Sequence, residues 1–473
     1  MINSPLSTTL KLSKRVLLLI VFLISPLITF ASAGEPPSIG PIRMEFIIFG
    51  LLLLGVALFH NQTFWVATIG LTVLLIFKFI FDPGFHFFEH MFGDTSFVEQ
   101  LLNKELRQGE WGIILNLGGL LLGFALLSKI FEESNVPAIL PHYLPNDWKG
   151  PLMLLIFVFI MSAFLDNIAA ALIGGTIALV VFKHKIHIGY LAAIVAASNA
   201  GGAGSVVGDT TTTMMWIDGV RAFDVLHAFI PSFFAFLFFA WFGSHQQDKY
   251  HRIQKDAKRG VKINWSRILV VAIILVGAIA MNILYDMPAL GVWIALIISS
   301  FIIKIPWNEI PGSIKGTIFL LCLVMSASLM PVEELPDASW FTALALGFLS
   351  AVFDNIPLTK LCLDQGHYDW GMLAYTVGFG GSMVWFGSSA GVALTNKFPE
   401  GRDVIQWVKK GWHIAPAYII GFFMLYIIMG WEPEDNKEHK IIDCPVPGCP
   451  MANKSKTVAE TGALSYLDLI HNF

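Results

Sequence analysis

Charged residues are scarce in this chain. They make up 14% of its 473 residues, about half of the roughly 25% that is usual in soluble domains. Cysteine is scarcer still, and four cysteines in a chain of this length exclude a disulfide-built scaffold. The net charge of −4 provides no basic surface for nucleic acid. Because 55% of the residues are hydrophobic, the composition predicts one all-α polytopic membrane protein, whose surroundings are a lipid bilayer.

The first residues predict a secretory signal. A basic segment with Lys11 and Arg15 precedes an apolar run over residues 16–30, and a small-x-small cleavage pattern follows at residues 31–33. We therefore expect a signal peptide at residues 1–33, with an uncleaved first helix as the alternative. In both cases the chain enters the mature protein from the outer side of an inner (plasma) membrane.

The rest of the chain is dominated by apolar runs, and some of them are interrupted. The runs lie at residues 44–59, 64–81, 111–130, 151–182, 188–217, 223–242, 268–284, 288–303, 314–330, 340–363, 370–395 and 413–431. A helix needs about 20 residues to cross a bilayer. Asp166-Asn167 and Asp354-Asn355 divide two of the runs into segments too short to span, so a re-entrant helical hairpin is expected at each.

The two halves of the chain share motifs in the same order. Residues 162–168 match residues 350–356, and the Gly-rich residues 201–210 match residues 380–389. In each half the second motif predicts a helix broken by unwound backbone. Five crossings per half is an odd number, so the second half is expected to be inverted. Inverted repeats with broken helices are typical of transporters, whose substrate binds where the breaks meet.

Loop charges orient these segments. We expect a first transport repeat at residues 44–243, a basic cytoplasmic linker at 244–265, a second, inverted repeat at 266–431 and a periplasmic C-terminal tail at 432–473. With this division the lysines and arginines lie mainly in inner loops, as the positive-inside rule requires. Cys444 and Cys449, both in the tail, are expected to form a small disulfide.

Acidic residues at the interruptions are the candidates for chemistry. A charge deep in apolar surroundings is costly and usually marks an ion or proton route, although a polar bridge that locks two helices is an alternative for each aspartate. The carboxylate, amide and hydroxyl oxygens near the breaks suit a hard cation. They belong to Asp166, Asn167, Asn199, Asp209, Thr210, Thr211, Thr212, Asp354, Asn355, Ser388 and Ser389. Sodium is expected at Asp166, Asn167, Asp209 and Asn355.

A buried carboxyl site can take a proton as well as a cation, because burial raises the pKa of a carboxyl group. Competition between the two ligands, combined with alternating access, gives antiport. Lys360 follows Asp354 by six residues and is expected either to pair with a carboxylate or to extend to the outer interface.

Residues 162–169, 197–217 and 350–358 resemble the motifs of NhaD-type sodium/proton antiporters. These antiporters belong to the ion transporter superfamily, together with arsenite permeases and citrate or dicarboxylate carriers. The resemblance implies export of Na⁺ or Li⁺ in exchange for protons and, by analogy with other carriers of the superfamily, a homodimer. It also implies roles for Ser162, Asp166, Asn167, Asn199, Asp209, Thr211, Thr212, Ser350, Asn355, Ser388 and Ser389.

A carrier of citrate, a dicarboxylate or arsenite is the alternative function. The related anion carriers have Ser-Asn-Thr at their hairpin tips, whereas this chain has Asp-Asn at both. Two acidic tips beside Asp209 repel an anion unless sodium neutralises them. The sequence contains no recognisable arrangement of a nucleophile and a base, so neither an enzyme nor a cofactor is expected.

Overall fold

The computed structural model describes residues 37–59, 62–254 and 262–434. The predicted signal peptide, the centre of the basic linker and the tail with Cys444 and Cys449 lie outside the described residues, so these expectations stay predictions.

The described residues form helices and one two-residue antiparallel hairpin. The hairpin pairs β1 (Ser38–Ile39) with β2 (Ile42–Arg43). The helices are α1 Met44–Leu58, α2 Thr63–Phe81, α3 Phe87–Phe92, α4 Phe97–Leu102, α5 Trp111–Glu132, α6 Val136–Ile139, α7 Lys149–Ser162, α8 Asn167–Val181, α9 Ile188–Ala203, α10 Thr210–Ile217, α11 Ala222–Leu226, α12 Phe229–Tyr250, α13 Trp265–Tyr285, α14 Pro288–Ser299, α15 Ile310–Ser328, α16 Trp340–Ser350, α17 Asn355–Gln365, α18 Trp370–Gly380, α19 Ser389–Lys397, α20 Val404–Lys410 and α21 Ile414–Met429. Short 3₁₀ turns connect several of them. The predicted all-α architecture is confirmed.

Several helices are long and apolar enough to cross a bilayer. Five helical stretches among the described residues meet this requirement, and a sixth is obtained if α20 and α21, which meet at an angle of 57°, form one bent span. Helices suit this setting because each satisfies its backbone hydrogen bonds internally. The chain is therefore a multi-pass membrane protein, as its composition predicts.

The interrupted runs are divided where the sequence predicts. Run 151–182 consists of α7 and α8, which pack against each other and are separated by residues 163–166. Run 340–363 consists of α16 and α17, separated by residues 351–354. The two Gly-rich motifs likewise separate α9 from α10 and α18 from α19.

Glycines allow close approaches between helices at matched places in the two halves. A side chain at Gly201 on α9 would collide with the carbonyl oxygen of Phe159 on α7. A side chain at Gly380 on α18 would collide with the carbonyl oxygen of Gly347 on α16. Small residues permit such backbone contacts in membrane proteins, and here they bring each broken helix against a helix of its hairpin.

The helices pack in two groups. The first group contains α1, α2, α5, α13, α14 and α15, and the second contains α7 to α10, α12, α16 to α19 and α21. The groups meet mainly where α15 packs on α17 and where α5 packs on α10.

A buried ion cluster joins the two groups. Lys360 on α17 has a side chain that is 1% exposed, and its Nζ lies 3.0 Å from an oxygen of Glu110, the residue before α5. It also lies 2.7 Å from Asp364 on α17. The expected pairing with a carboxylate is confirmed, whereas extension of Lys360 to the interface is wrong, because Glu110 and Asp364 hold the ammonium group inside the protein.

Replacing Lys360 by Met is expected to destabilise the protein by about 3–5 kcal/mol, because it removes the buried counter-ion of two carboxylates that are themselves mostly shielded from water, Glu110 at 14% and Asp364 at 23% exposed. The free energy of unfolding in detergent micelles measures this. Lys129→Met is the matched control, since Lys129 pairs with Glu132 at 2.9 Å while 32% exposed, and its loss should cost at most about 1 kcal/mol. Equal effects of the two substitutions would contradict the prediction.

Candidate functional site

Four short helices begin at the interruptions, and each is capped by a predicted site residue. Oδ2 of Asp166 accepts a hydrogen bond from the Ile168 amide at 3.2 Å and caps α8. Asp209 caps α10 in the same way, with 3.3 Å from its Oδ1 to the Thr211 amide. Aspartate suits these positions because it satisfies free amides and lies at the positive end of the helix dipole.

The second half repeats the arrangement with one difference. Asp354 caps α17, and its Oδ1 lies 3.1 Å from the Ile356 amide. Ser388 caps α19, and its Oγ lies 3.2 Å from the Gly391 amide. Three of the four caps are therefore carboxylates, and the fourth is a neutral hydroxyl.

A buried polar network connects the two halves. Nδ2 of Asn167 donates to Oδ1 of Asn199 at 3.1 Å. Nδ2 of Asn199 in turn lies 2.9 Å from Oγ of Ser382 and 3.2 Å from Oγ of Ser388. All four side chains are buried, so Asn199 joins the hairpin tip of the first half to the broken helix of the second.

Two serines brace the hairpins against the broken helices. Oγ of Ser162 donates to the carbonyl oxygen of Ser198 at 2.6 Å, and Oγ of Ser350 donates to that of Val377 at 2.7 Å. Both serines are buried, and each hydroxyl donates its hydrogen bond to a backbone carbonyl. The structure therefore places Ser162 and Ser350 in a supporting position.

The threonines after Asp209 differ in their surroundings. Oγ1 of Thr212 donates to the carbonyl oxygens of Ser205 and Asp209 at 2.6 and 2.9 Å, so it holds the unwound segment in place. Oγ1 of Thr211 is buried and makes no hydrogen bond within the described part of the chain. Thr210 lines a cavity next to Asp209.

Asp209 is the most buried of the three aspartates. Asp209 is 2% exposed, whereas Asp166 and Asp354 are partly exposed. Its Oδ2 has no hydrogen-bond partner among the residues that the structure describes. Asp209 is also close enough to Asp166 and Asp354 for electrostatic repulsion between the carboxylates.

Asp166 and Asp209 line the same cavity, which has a volume of about 340 Å³. Thr210 and Thr213 contribute hydroxyl-bearing side chains to its lining. The cavity adjoins a larger one of about 690 Å³, and the two share lining residues such as Ala169. The larger cavity is also lined by residues such as Lys397, so it extends from the aspartates towards the predicted inner side.

Asp354 lines a separate cavity of about 180 Å³. Oγ of Ser389 lies 3.4 Å from Oδ2 of Asp354 in this cavity. Ile168 lies between the two aspartate-containing cavities and contributes to both.

The structure thus brings most of the predicted residues to the four breaks, but it does not gather them around one point. Asn167 and Asn199 belong to the polar network, and Asn355 is buried at the start of α17. Within the described ranges no three His, Cys, Asp or Glu side chains lie close enough together to hold a metal ion.

Sequence reasoning missed Ser382 and Thr213. Ser382 is fully buried and pairs with Asn199, and Thr213 lines the cavity of Asp166 and Asp209. Their positions offered a signal, since Ser382 directly follows the glycine pair of the second motif and Thr213 ends the run of threonines after Asp209.

Broken helices with capping carboxylates, joined by a polar network, are typical of secondary transporters. Residues 62–380 match the citrate transporter family, and the chain belongs to this family. The resemblance to NhaD-type antiporters expected from the sequence is confirmed by the relatives described next.

Several relatives are named sodium/proton antiporters. The chain is 27% identical to the Na⁺/H⁺ antiporter NhaD of Alkalimonas amylolytica over 336 residues, which cover 59% of this chain and 68% of the relative. It is 27% identical to NhaD of Vibrio parahaemolyticus over 50% of this chain and 70% of the relative. It is also 27% identical to sodium/proton antiporter 1 of Arabidopsis thaliana over 279 residues, which cover 50% of this chain and 48% of the plant protein. The chain therefore spans about half the length of this relative.

Replacing Asn199 by Ala is expected to lower the free energy of unfolding by about 1–3 kcal/mol, because the buried amide of Asn167 loses its acceptor. Ser382 and Ser388 lose a donor in the same variant. Denaturant unfolding in detergent measures the change. Asn308→Ala, at an exposed asparagine that bonds Glu309 at 3.5 Å, is the control and should be nearly neutral. If Asn199→Ala matches this control, the network does not stabilise the site.

Proposed function

We propose that the chain is a secondary active transporter that exchanges Na⁺ or Li⁺ for H⁺ by alternating access. One observation carries the proposal: aspartate carboxylates and hydroxyl oxygens line both cavities at the breaks. No Lys, Arg or His is among the described residues that line either cavity. Oxygen ligands with net negative charge suit a hard cation.

The helix N-termini support a cation for a second reason. A free helix N-terminus attracts an anion, and transporters use such ends to bind anionic substrates. Here the side chains of Asp166, Asp209 and Asp354 occupy three of the four N-termini. The positive ends are thus already neutralised from within the chain, which leaves little attraction for a multiply charged anion.

The exchange follows from the cost of an uncompensated buried charge. An ionised carboxylate at membrane depth needs a counter-charge, or else it takes up a proton. Asp166 and Asp209 share one cavity, so a cation that binds there displaces protons, and protons displace the cation. We propose that Asn167, Thr210, Thr211 and the Asp354–Ser389 pair complete the binding and release route.

The proposed orientation follows from the loop charges. The basic linker lies on the cytoplasmic side of an inner membrane, and the cavity lined by Lys397 faces the same side. The predicted signal peptide and the periplasmic C-terminus belong to this proposal. A homodimer is proposed by analogy with other carriers.

Transport of citrate, a dicarboxylate or arsenite remains the second candidate, because the matched family carries the description of a citrate transporter. In that case sodium ions would first have to neutralise the acidic hairpin tips.

In everted membrane vesicles with an imposed proton gradient, Na⁺ or Li⁺ is expected to dissipate the gradient at about pH 8–9, where an alkaline medium favours release of protons from the site. A fluorescent pH probe reports this. Asp166→Asn and Asp209→Asn are each expected to abolish the response, because they remove the charge. Asparagine caps helices as well as aspartate does, so both variants should still fold.

The matched control is Asp403→Asn. Asp403 also caps a helix, with 3.1 Å from its Oδ1 to the Gln406 amide, but it lines neither aspartate-containing cavity. This variant should respond as the parent protein does. Uptake of labelled citrate without any response to Na⁺ or Li⁺ would overturn antiport in favour of the second candidate.

A further inference from the structure

The two broken helices correspond residue by residue. The hydroxyl of Ser162 bonds the carbonyl of Ser198, and that of Ser350 bonds the carbonyl of Val377. These matched bonds make Ser198 and Val377 equivalent, so the next residues, Asn199 and Gly378, are equivalent as well.

The helix caps give the second correspondence. Asp209 caps α10, and Ser388 caps α19. Each cap faces a residue of the other half: Ser388 faces Asn199, and Asp209 faces Gly378, the equivalent of Asn199. Nδ2 of Asn199 lies 3.2 Å from Oγ of Ser388. A Cβ atom at Gly378 would lie 3.2 Å from Oδ2 of Asp209.

The two contacts differ in what faces the cap. Ser388 receives an amide donor from Asn199, whereas Asp209 faces a residue without a side chain. Oδ2 of Asp209 makes no hydrogen bond within the described residues. A buried carboxylate oxygen in this situation needs a positively charged or donating partner.

We propose that Gly378 is the specificity-determining residue of the cation site at Asp209. Its lack of a side chain leaves a space slightly smaller than a methyl group beside Oδ2, which takes up the transported cation from the cavity that Asp209 shares with Asp166 and sets the largest ion that fits. This inference rests on the proposed cation transport. Ala203 is the other close neighbour, since its Cβ would lie 3.4 Å from a Cβ at Gly378. Because Ala203 and Gly378 belong to packed helices, the space is limited on both sides.

The first test is Gly378→Ala. The added methyl group fits only if its neighbours shift by a few tenths of an ångström, because its Cβ would lie 3.2 Å from Oδ2 of Asp209, and it takes most of the space beside this oxygen. Because cavity size governs selectivity between cations of different radius, the half-maximal Na⁺ concentration for probe dequenching should rise by about tenfold. The smaller Li⁺ should be affected less, so the preference shifts towards Li⁺. Gly112→Ala is the control, since no heavy atom lies within 4 Å of a Cβ there.

The second test is Gly378→Asn, which restores the amide that the other half has at Asn199. An amide donor at Oδ2 competes with any cation, so the responses to Na⁺ and Li⁺ should both be lost. Purified parent protein should melt at a higher temperature in Na⁺ than in choline, because a ligand that binds the folded state stabilises it. Gly378→Asn should lose this Na⁺-dependent shift while melting in choline at or above the temperature of Gly378→Ala.

The outcomes separate the two proposals. If the parent protein responds to both ions and Gly378→Ala keeps the parent ratio of Na⁺ to Li⁺, only the role of Gly378 is overturned. The same holds if Gly378→Asn keeps the Na⁺-dependent melting shift. If the parent protein responds to neither ion and shows no melting shift, the proposed function fails and the role of Gly378 fails with it.

Discussion

A carboxylate inside an apolar protein is stable only where hydrogen bonds and nearby positive charge offset its lost hydration. In this chain the offset comes from helix N-termini. Asp166, Asp209 and Asp354 each cap a short helix that begins at a break in an apolar run. The breaks and the carboxylates depend on each other, because an unbroken helix would offer no free amides and an apolar residue would leave those amides unsatisfied. The other contacts of the site follow from these junctions.

The two halves of the chain use the same backbone design with different chemistry. The cap of α19 is the neutral Ser388, whose oxygen accepts hydrogen bonds from the Gly391 amide and from Asn199. The cap of α10 is Asp209, which keeps one oxygen without a protein partner in the described residues. A duplicated architecture thus holds a carboxylate oxygen without a partner in one half and a hydroxyl oxygen with two donors in the other, within the described residues.

Much of this organisation could be predicted from the sequence because it depends on local pattern. The breaks are marked by polar residues within apolar runs, and the repeat places each break twice. Contacts between distant segments could not be predicted. The Asn199–Ser382 bond joins residues 183 apart, and the Lys360–Glu110 pair joins residues 250 apart. Such pairs result from how helices pack. The spacing of four residues indicates the Lys360–Asp364 pair on α17, but nothing in the residues around Lys360 indicates Glu110.

The position of Asn199 also restricts how the molecule can move. Its amide group holds Asn167 from the first half and both Ser382 and Ser388 from the second. Separating the halves along their boundary would break all of these buried hydrogen bonds at once. The helices that carry the site meet the remaining helices chiefly where α15 packs on α17 and where α5 packs on α10, and the Lys360–Glu110 ion pair lies at the same boundary. Any rearrangement that preserves these bonds therefore carries the hairpin tip of the first half and the broken helix of the second half together.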